Sequence, residues 1–170
     1  MIRQAKEMDI CGILGITRAC GAAMRAAGIF QWTETYPSEV AFRNDLVRGE
    51  LWVFDPGNGP VACLVVSDLM DPEYRAVSWG TPDQGARYIH RLAVHPDFQR
   101  RGIAGKLMDF AESQARAERA TAIRLDTFSR NAGNQRFYEN RGYRRLGAVY
   151  FPNQSAYPFY CYERALPSPG

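Results

Sequence analysis

Residues 88–105 read YIHRLAVHPDFQRRGIAG, a segment with a strong local pattern. Its first seven residues predict a β-strand, Pro96 and Asp97 predict a turn, and an amphipathic helix is predicted from Gly102 onward. Backbone N–H groups at a glycine-containing turn ahead of a helix form an anion site. Arg100 and Arg101 add positive charge beside that turn. The segment therefore predicts a site for a phosphate or a pyrophosphate.

The composition is that of an ordinary globular protein. The 170 residues are 46% hydrophobic and 23% charged, which predicts one domain over 1–170 with a frayed tail at 165–170. The net charge of +3 is too small to indicate a nucleic-acid or membrane surface. No apolar run is long enough to span a bilayer, and the N-terminus lacks the apolar core of a signal peptide. We therefore expect a cytoplasmic protein.

The cysteines and histidines do not form a metal-binding pattern. The four cysteines are scattered without a CxxC pair, which predicts free, buried thiols in a reducing compartment. They are Cys11, Cys20, Cys63 and Cys161. His90 and His95 are the only histidines. Without a cluster of cysteine, histidine and acidic residues, we expect no metal site.

Periodicity and turn residues predict the element order β-α-α-β-β-β-α-β-α-β-β. That order indicates an α/β fold with a mixed sheet and helices on both faces. Asp9 and Ser38 are predicted to cap the first two helices. A helix over 131–141 is predicted to be capped by Asn131 and stopped by Gly142. A further short strand is expected near 76–79. In the helix predicted at 102–119, the side chain of Glu112 is expected to face water.

A second motif lies downstream, where 131–143 read NAGNQRFYENRGY. Together with the strand, turn and helix upstream, it resembles the GNAT superfamily of acyl-CoA-dependent N-acetyltransferases. In that family the pattern R/Q-x-x-G-x-G/A binds the pyrophosphate of coenzyme A, and a later pattern runs Asn, helix, Tyr, Gly, aromatic. The matching residues are Gln99, Gly102, Ala104, Asn131, Tyr138, Gly142 and Tyr143. The strings FQW and YPS near residues 30–38 look like a subgroup of small, mostly uncharacterised bacterial members.

The resemblance implies acetyl-CoA as the acyl donor and a GNAT-like mixed, mostly antiparallel sheet. The pyrophosphate would be held by the turn, whose residues are Gln99, Arg100, Arg101, Gly102, Ile103, Ala104 and Gly105. The backbone of Leu92, Ala93 and Val94 would bond the acetyl carbonyl and the pantetheine arm, at a strand bulge that makes room for the arm. Asn131 would contact the donor or only cap its helix, and Asn134 would add a hydrogen bond or only fill space.

Acetyl transfer to an amine also needs an acid and a base. Tyr138 is predicted to protonate the leaving thiolate. Many relatives carry a Glu as base on the central strand, but the corresponding residue here is Tyr88. His90, two residues along on the same strand face, has an ordinary pKa of roughly 6.5 that suits a base, and a packing histidine is the alternative. Asp126 and Glu34 are further candidates, as bases through water or as partners of a cationic acceptor.

The loop 30–37 carries several aromatic residues. Trp32 and Tyr36, with Glu34 between them, are predicted to line the acceptor pocket, because an aromatic cage favours an amine cation. Tyr88 and Asp126 are the other predicted acceptor-binding residues. A hydrophobic plug over the core is the alternative interpretation of this loop.

These patterns predict an N-acetyltransferase that moves an acetyl group from acetyl-CoA to a primary amine by direct attack in a ternary complex. The acceptor is a small molecule, an amino acid or a peptide. The alternative is a non-catalytic acyl-CoA-binding sensor or interaction module, which the missing carboxylate at Tyr88 favours. Neither nucleic acid nor membrane is an expected partner, since the small charge and the absence of a recognition motif argue against both. The oligomeric state stays open, with a homodimer among the alternatives.

Overall fold

The computed structural model describes residues 1–167, and the chain divides into two compact units. The first comprises Met1–Val66 and His90–Ala111. The second comprises Ser67–Ile89 and the described residues after Ala111. The sequence-based expectation of a single domain over 1–170 remains a prediction.

Within residues 1–167, seven strands and four helices follow the predicted order. The strands are β1 (Ile2–Gln4), β2 (Leu51–Phe54), β3 (Ala62–Ser67), β4 (Ala86–Val94), β5 (Ala122–Phe128), β6 (Arg144–Val149) and β7 (Phe159–Ala165). The helices are α1 (Ile10–Ala26), α2 (Glu39–Val47), α3 (Ile103–Ala117) and α4 (Ala132–Asn140). The strand order is β1-β2-β3-β4-β5-β7-β6. Strands β4 and β5 pair in parallel, whereas β1–β2, β2–β3, β5–β7 and β6–β7 are antiparallel. The mixed, mostly antiparallel sheet is therefore confirmed.

The core of the first unit forms from α1, α2 and strands β2 to β4. Helix α1 buries residues at helical spacing, so one face of the helix is apolar. The buried apolar residues of that face are Ile10, Ile13, Leu14, Ile16 and Cys20. They pack with Phe42 of α2 and with alternate residues of β2, Leu51 and Val53. This packing fixes α2 against the strands that precede β4.

The two predicted helix caps behave differently. The Ser38 side chain accepts a hydrogen bond from the Ala41 N–H at 3.1 Å, so the cap of α2 is confirmed. The predicted side-chain cap from Asp9 is wrong. Asp9 Oδ2 instead accepts from the Lys6 N–H at 2.7 Å, and Arg3 Nη1 donates to it at 2.7 Å. A short 3-10 helix over Glu7–Asp9 precedes α1, and the carboxylate serves that turn.

Replacing Ser38 by Ala is expected to lower the free energy of unfolding by about 1 kcal/mol, because the Ala41 N–H loses its acceptor. Urea unfolding measures the change. Ser113→Ala is the matched control, since Ser113 is exposed within α3 and its removal should change stability by no more than about 0.5 kcal/mol. Equal effects of the two substitutions would contradict the capping role.

The second unit is organised on β5. This strand pairs with β7 along its whole length, from Ala122 opposite Ala165 to Phe128 opposite Phe159. Helix α4 begins after Asn131, whose Oδ1 accepts from the Asn134 N–H at 3.1 Å. It ends before Gly142, whose φ of 87° suits a helix stop. Both of these boundary predictions are confirmed.

The frayed tail predicted at 165–170 lies only partly within the described residues. Ala165 is the last residue of β7. Leu166 is buried, and its N–H donates to the Thr121 carbonyl oxygen at 2.9 Å. Residues 168–170 lie outside the described residues.

Two further local predictions are wrong. The short strand expected near 76–79 is absent, and a 3-10 helix over Pro72–Ala76 ends where that strand was expected to begin. Pro72 at its first turn has a fixed φ that suits helical backbone. Glu112, expected to face water, is buried because its carboxylate accepts from three side chains of the second unit. These are Arg141 Nη2 at 3.0 Å, Arg164 Nη1 at 2.9 Å and Tyr143 Oη at 3.1 Å.

All four cysteines are free thiols, as predicted. Three of them are buried, but Cys11 on α1 is exposed, so the expectation of burial is wrong for that residue. Among residues 1–167, no helix is both long enough and apolar enough to cross a membrane.

Candidate active site

The turn that follows β4 in the first unit has the geometry of an anion site. Arg100 and Gly102 both adopt left-handed backbone, with φ of 61° and 75°. Gln99 Nε2 donates to the Val94 carbonyl oxygen at 3.0 Å, which ties the turn to the end of the strand. Helix α3 starts directly afterwards at Ile103. The turn therefore leads into a helix N-terminus, as the sequence predicted.

The N–H groups at this helix start are available for an anion. The first four N–H groups of a helix have no intrahelical acceptor, and the first return bond described here runs from the Lys106 N–H to the Gly102 carbonyl oxygen at 3.0 Å. Gly102 is exposed, and a Cβ added to it would meet no atom within 4 Å. Arg101 is also exposed, with its guanidinium carbon 5.1 Å from the centroid of the Phe98 ring. The turn can accommodate a phosphate group against its backbone.

Strand β4 carries a backbone irregularity just before the residues predicted to bind the donor. Arg91 has a φ of +52°, in the left-handed region that strands of L-residues rarely use. Burial does not alternate here as it does in a regular strand, since His90, Arg91 and Leu92 are half-buried in succession. Ala93 and Val94 are buried. The irregularity lies directly before Leu92–Val94, the residues at which the family resemblance implies a bulge.

The aromatic loop of the first unit divides between core and surface. Trp32 is only 9% exposed and belongs to the hydrophobic core. Tyr36 is half-buried against that core and forms a side-chain hydrogen bond with Arg91. Glu34 is exposed. Trp32 thus contributes to the plug over the core, which was the alternative interpretation, while Glu34 remains open to solvent.

Tyr138 is buried on α4 in the second unit, 6% exposed. Its ring lies 5.1 Å from that of Phe137, 5.9 Å from that of Tyr143 and 6.3 Å from that of Tyr162, as centroid distances. Burial raises the pKa of Tyr138 well above its usual value, the Asp126 carboxylate raises it further, and Arg141 lowers it in part. The phenol is therefore a proton donor that stays protonated at neutral pH.

Asp126 lies in a polar cluster with Tyr74 and Asp71. Of these three residues, only Asp126 was identified from the sequence. The Tyr74 hydroxyl donates to Asp126 Oδ2, and Tyr74 is fully buried. The carboxylates of Asp71 and Asp126 approach within 4.8 Å of each other. The pKa of the Cys161 thiol is raised chiefly by burial, and the negative charges of Asp126 and Asp71 raise it further. Asp71 and Tyr74 lie in a stretch without regular periodicity, so no sequence pattern linked them to Asp126.

Tyr88 is engaged elsewhere in the second unit. Its hydroxyl accepts from Arg124 Nη1 at 3.1 Å, and burial raises the pKa of Tyr88 while Arg124 acts in the opposite direction. Arg124 is fully buried and also donates to Glu163 Oε2 at 2.9 Å and to Asp83 Oδ1 at 2.6 Å. Tyr88 is thus a buried phenol whose hydroxyl is held by a guanidinium.

The remaining predicted residues take local roles in the structure. Asn131 caps α4, because its Oδ1 accepts a hydrogen bond from the backbone N–H of Asn134. Asn134 is half-buried. His90 is half-buried on β4. It is the first residue of β4 that belongs to the first unit, since the strand up to Ile89 belongs to the second. Their contacts with a donor or an acceptor remain predictions.

Known proteins resemble this chain in sequence and in fold. The uncharacterized N-acetyltransferase YesJ of Bacillus subtilis (strain 168) is 26% identical over 145 residues, which cover 82% of this chain and 79% of that protein. A GNAT-family acetyltransferase structure from Streptococcus agalactiae 2603 covers 99% of this chain and 96% of its own, with a TM-score of 0.83 and 21% identity. The structure of YncA from Salmonella typhimurium with its cofactor acetyl-CoA has a TM-score of 0.70 and 17% identity. It covers 100% of this chain and 95% of its own. At these identities the solved structures show a shared fold.

The family assignment comes from the sequence itself. Residues 21–143 match the family described as "Acetyltransferase (GNAT) family". The match includes the turn at Gly102, the strand before it and Tyr138, and it spans well over half of the chain. The chain therefore belongs to the GNAT family and is an acetyltransferase.

Proposed function

We propose that the protein transfers an acetyl group from acetyl-CoA to a primary amine of a small molecule, an amino acid or a peptide, by direct attack in a ternary complex. The observation that carries this proposal is the open turn at Gly102, with left-handed backbone and a helix start directly behind it. Such a turn suits a pyrophosphate. The YncA structure with acetyl-CoA supports the same donor.

The donor contacts follow from the backbone of the first unit. The N–H groups of Gly102, Ile103 and Ala104 would bind the pyrophosphate, with Arg100 and Arg101 adding positive charge. The backbone of Leu92–Val94 would bond the acetyl carbonyl and the pantetheine arm. A carbonyl that accepts from fixed N–H groups is polarised towards attack, because those groups stabilise the charge that develops on its oxygen.

Tyr138 would act as the general acid. When the amine nitrogen bonds to the acetyl carbon and the C–S bond breaks, the thiolate leaves with the bonding electron pair. The phenol would then supply a proton to the sulfur. Its raised pKa keeps that proton in place at neutral pH. Because a thiol has a lower pKa than this phenol, the proton would pass to the sulfur as the C–S bond breaks and be replaced on the phenolate from solvent.

The acceptor amine is mostly protonated at neutral pH and must lose protons to react. Asp126 is the carboxylate that we favour for binding the ammonium form and for accepting a proton, directly or through water. The Tyr74 hydroxyl orients it, and its charge influences Tyr138. His90 and Glu34 remain candidates from the sequence. The contact between Tyr88 and Arg124 argues against Tyr88 as a base.

The direct test is release of free CoA thiol from acetyl-CoA over a panel of amines. The panel contains small polyamines, amino acids and short peptides with free N-termini or lysines. We expect acceptor-dependent thiol release with at least one class, and calorimetric binding of acetyl-CoA without an acceptor. Tight acetyl-CoA binding without release for any amine would favour the non-catalytic acyl-CoA-binding module. Absence of acetyl-CoA binding would contradict both functions.

The raised pKa of Tyr138 gives a pH prediction. A general acid is lost when it deprotonates, so activity should fall only as the pH passes its pKa. Because that pKa lies above the ordinary value of about 10, kcat should hold its plateau up to about pH 10. A pH series of kcat at saturating acetyl-CoA and amine checks this, with circular dichroism to confirm that the protein remains folded. A fall centred near pH 8 would contradict the assignment.

A further inference from the structure

Arg91 combines a strained backbone with an unusually well-held side chain. Its φ of +52° lies inside β4, where a residue with a Cβ is disfavoured and glycine is the usual solution. The other described non-glycine residues with positive φ, Arg100 and Arg119, lie outside the strands. A rare conformation of this kind persists only where its surroundings enforce it. The neighbours of Arg91 should therefore explain why it is tolerated.

The guanidinium of Arg91 is fixed by Asp45 of α2. Arg91 Nε donates to Asp45 Oδ2 at 2.8 Å, and Arg91 Nη2 donates to Asp45 Oδ1 at 2.6 Å. Two parallel bonds of this type define the orientation of both groups. Asp45 is only 1% exposed, so solvent weakens the pair little. The carboxylate accepts one further bond, from Arg48 Nη2 at 3.0 Å, and that arginine side chain is 39% exposed.

Further contacts hold Arg91 from other sides. Its guanidinium carbon lies 6.0 Å from the centroid of the fully buried Phe42 ring, and Tyr36 adds a side-chain hydrogen bond. The Cys63 thiol of β3 lies 3.5 Å from the Arg91 carbonyl oxygen and donates to it. Both the side chain and the backbone of Arg91 are thus constrained within the first unit.

We propose that Asp45 is a positioning residue of the acyl-donor site, which holds Arg91 in its left-handed conformation and so sets the path of the β4 backbone over Leu92–Val94. This inference rests on the proposed function, in which that backbone receives the donor. Asp45 does not touch the donor. It acts through Arg91, whose conformation determines where the next three residues place their N–H and carbonyl groups.

Two substitutions of Arg91 separate conformation from charge. R91A and R91G both remove the guanidinium, but only glycine adopts positive φ without strain. We expect R91A to weaken acetyl-CoA binding about tenfold, because the strand relaxes to ordinary extended backbone. R91G should bind within about threefold of the unchanged protein. Isothermal titration calorimetry measures both dissociation constants, and initial rates give KM and kcat.

The same reasoning predicts rescue. D45N should weaken acetyl-CoA binding about tenfold, and the double variant D45N/R91G should recover the affinity of R91G, because glycine needs no partner to hold its φ. R48M is the control, since it removes the other arginine bonded to Asp45 and leaves the pair with Arg91 in place. Its affinity for acetyl-CoA should stay within about twofold, as expected for a half-exposed ion pair. Thermal unfolding of every variant records stability alongside affinity.

The outcomes separate this inference from the proposed function. If the unchanged protein does not bind acetyl-CoA, the proposed function fails. If it binds, equal affinities for R91A and R91G overturn the positioning role, and so does a D45N affinity equal to that of the unchanged protein. A purely structural role would lower the unfolding temperature of R91A and D45N and leave the dissociation constant unchanged. Should D45N fail to fold, the comparison of R91A with R91G decides the question.

Discussion

Replacing Tyr138 by Phe is expected to lower kcat about 100-fold while the dissociation constant for acetyl-CoA stays within about threefold. The substitution removes the phenolic proton and keeps the ring, which packs against the rings of Phe137, Tyr143 and Tyr162. General-acid catalysis is commonly worth about 10²- to 10⁴-fold, and a thiolate is a fair leaving group, so the effect should fall near the lower end. Thiol-release kinetics at saturating donor and amine measure it.

Tyr143→Phe is the matched control for this variant. It also removes a buried hydroxyl from the second unit, but that hydroxyl bonds to Glu112 Oε1 at 3.1 Å. We expect its main effect on stability, about 1 kcal/mol in the free energy of unfolding, with kcat within about threefold. If Tyr138→Phe and Tyr143→Phe lower kcat equally, the loss comes from disturbed packing and Tyr138 is not the acid.

Local sequence patterns predicted the parts of the fold that depend on local chemistry. Ser38 and Asn131 were identified as caps because a short polar side chain before an apolar run satisfies the first helical N–H groups. Gly142 was identified as a stop because glycine adopts positive φ at low cost. The element order followed from changes in hydrophobic period. These features need no knowledge of which strands pair.

Features that depend on tertiary contacts were not predictable in the same way. Glu112 has the helical position of a surface residue, yet two arginines and a tyrosine from later parts of the chain bury it. Asp71 joins Asp126 across 55 positions of sequence, and no periodicity marks that pairing. Asp45 binds Arg91 from a separate helix. Glu112 and Asp45 are buried charges, and each is compensated by an arginine from a distant part of the sequence.

The candidate site likewise contains a part set by local sequence and a part set by tertiary contacts. The turn at Gly102 was predictable, since its left-handed backbone and the helix start behind it belong to one contiguous stretch of sequence. The base was not, because it depends on which acidic or imidazole side chain reaches the amine. Burial of Tyr88 beside Arg124 illustrates the point. From sequence alone Tyr88 is only the residue that replaces a carboxylate, and its engagement becomes visible once β4 and β5 are paired.

Replacing Gly102 by Ala is expected to raise the dissociation constant for acetyl-CoA about 10- to 100-fold. An added Cβ at this position meets no protein atom within 4 Å, so the protein has room for it. The proposed pyrophosphate would occupy that room, and the methyl group would displace it from the backbone N–H groups. Loss of one charge-assisted hydrogen bond costs about 1.5–3 kcal/mol, which corresponds to this range. Calorimetric titration with acetyl-CoA measures the change.

Gly28→Ala separates this effect from backbone strain. Gly28 has nearly the same φ as Gly102, 77° against 75°, and a Cβ added there also meets nothing within 4 Å. Both substitutions place a side chain in the left-handed region, so both should destabilise the protein by about 1 kcal/mol. Only Gly102→Ala should also weaken donor binding, because Gly28 follows α1, away in sequence from the turn.

If both variants lose stability and bind acetyl-CoA as the unchanged protein does, the turn at Gly102 does not hold the pyrophosphate. If both weaken binding equally, the loss is a general consequence of strain in the first unit. A loss confined to Gly102→Ala would place the pyrophosphate on the backbone of the turn.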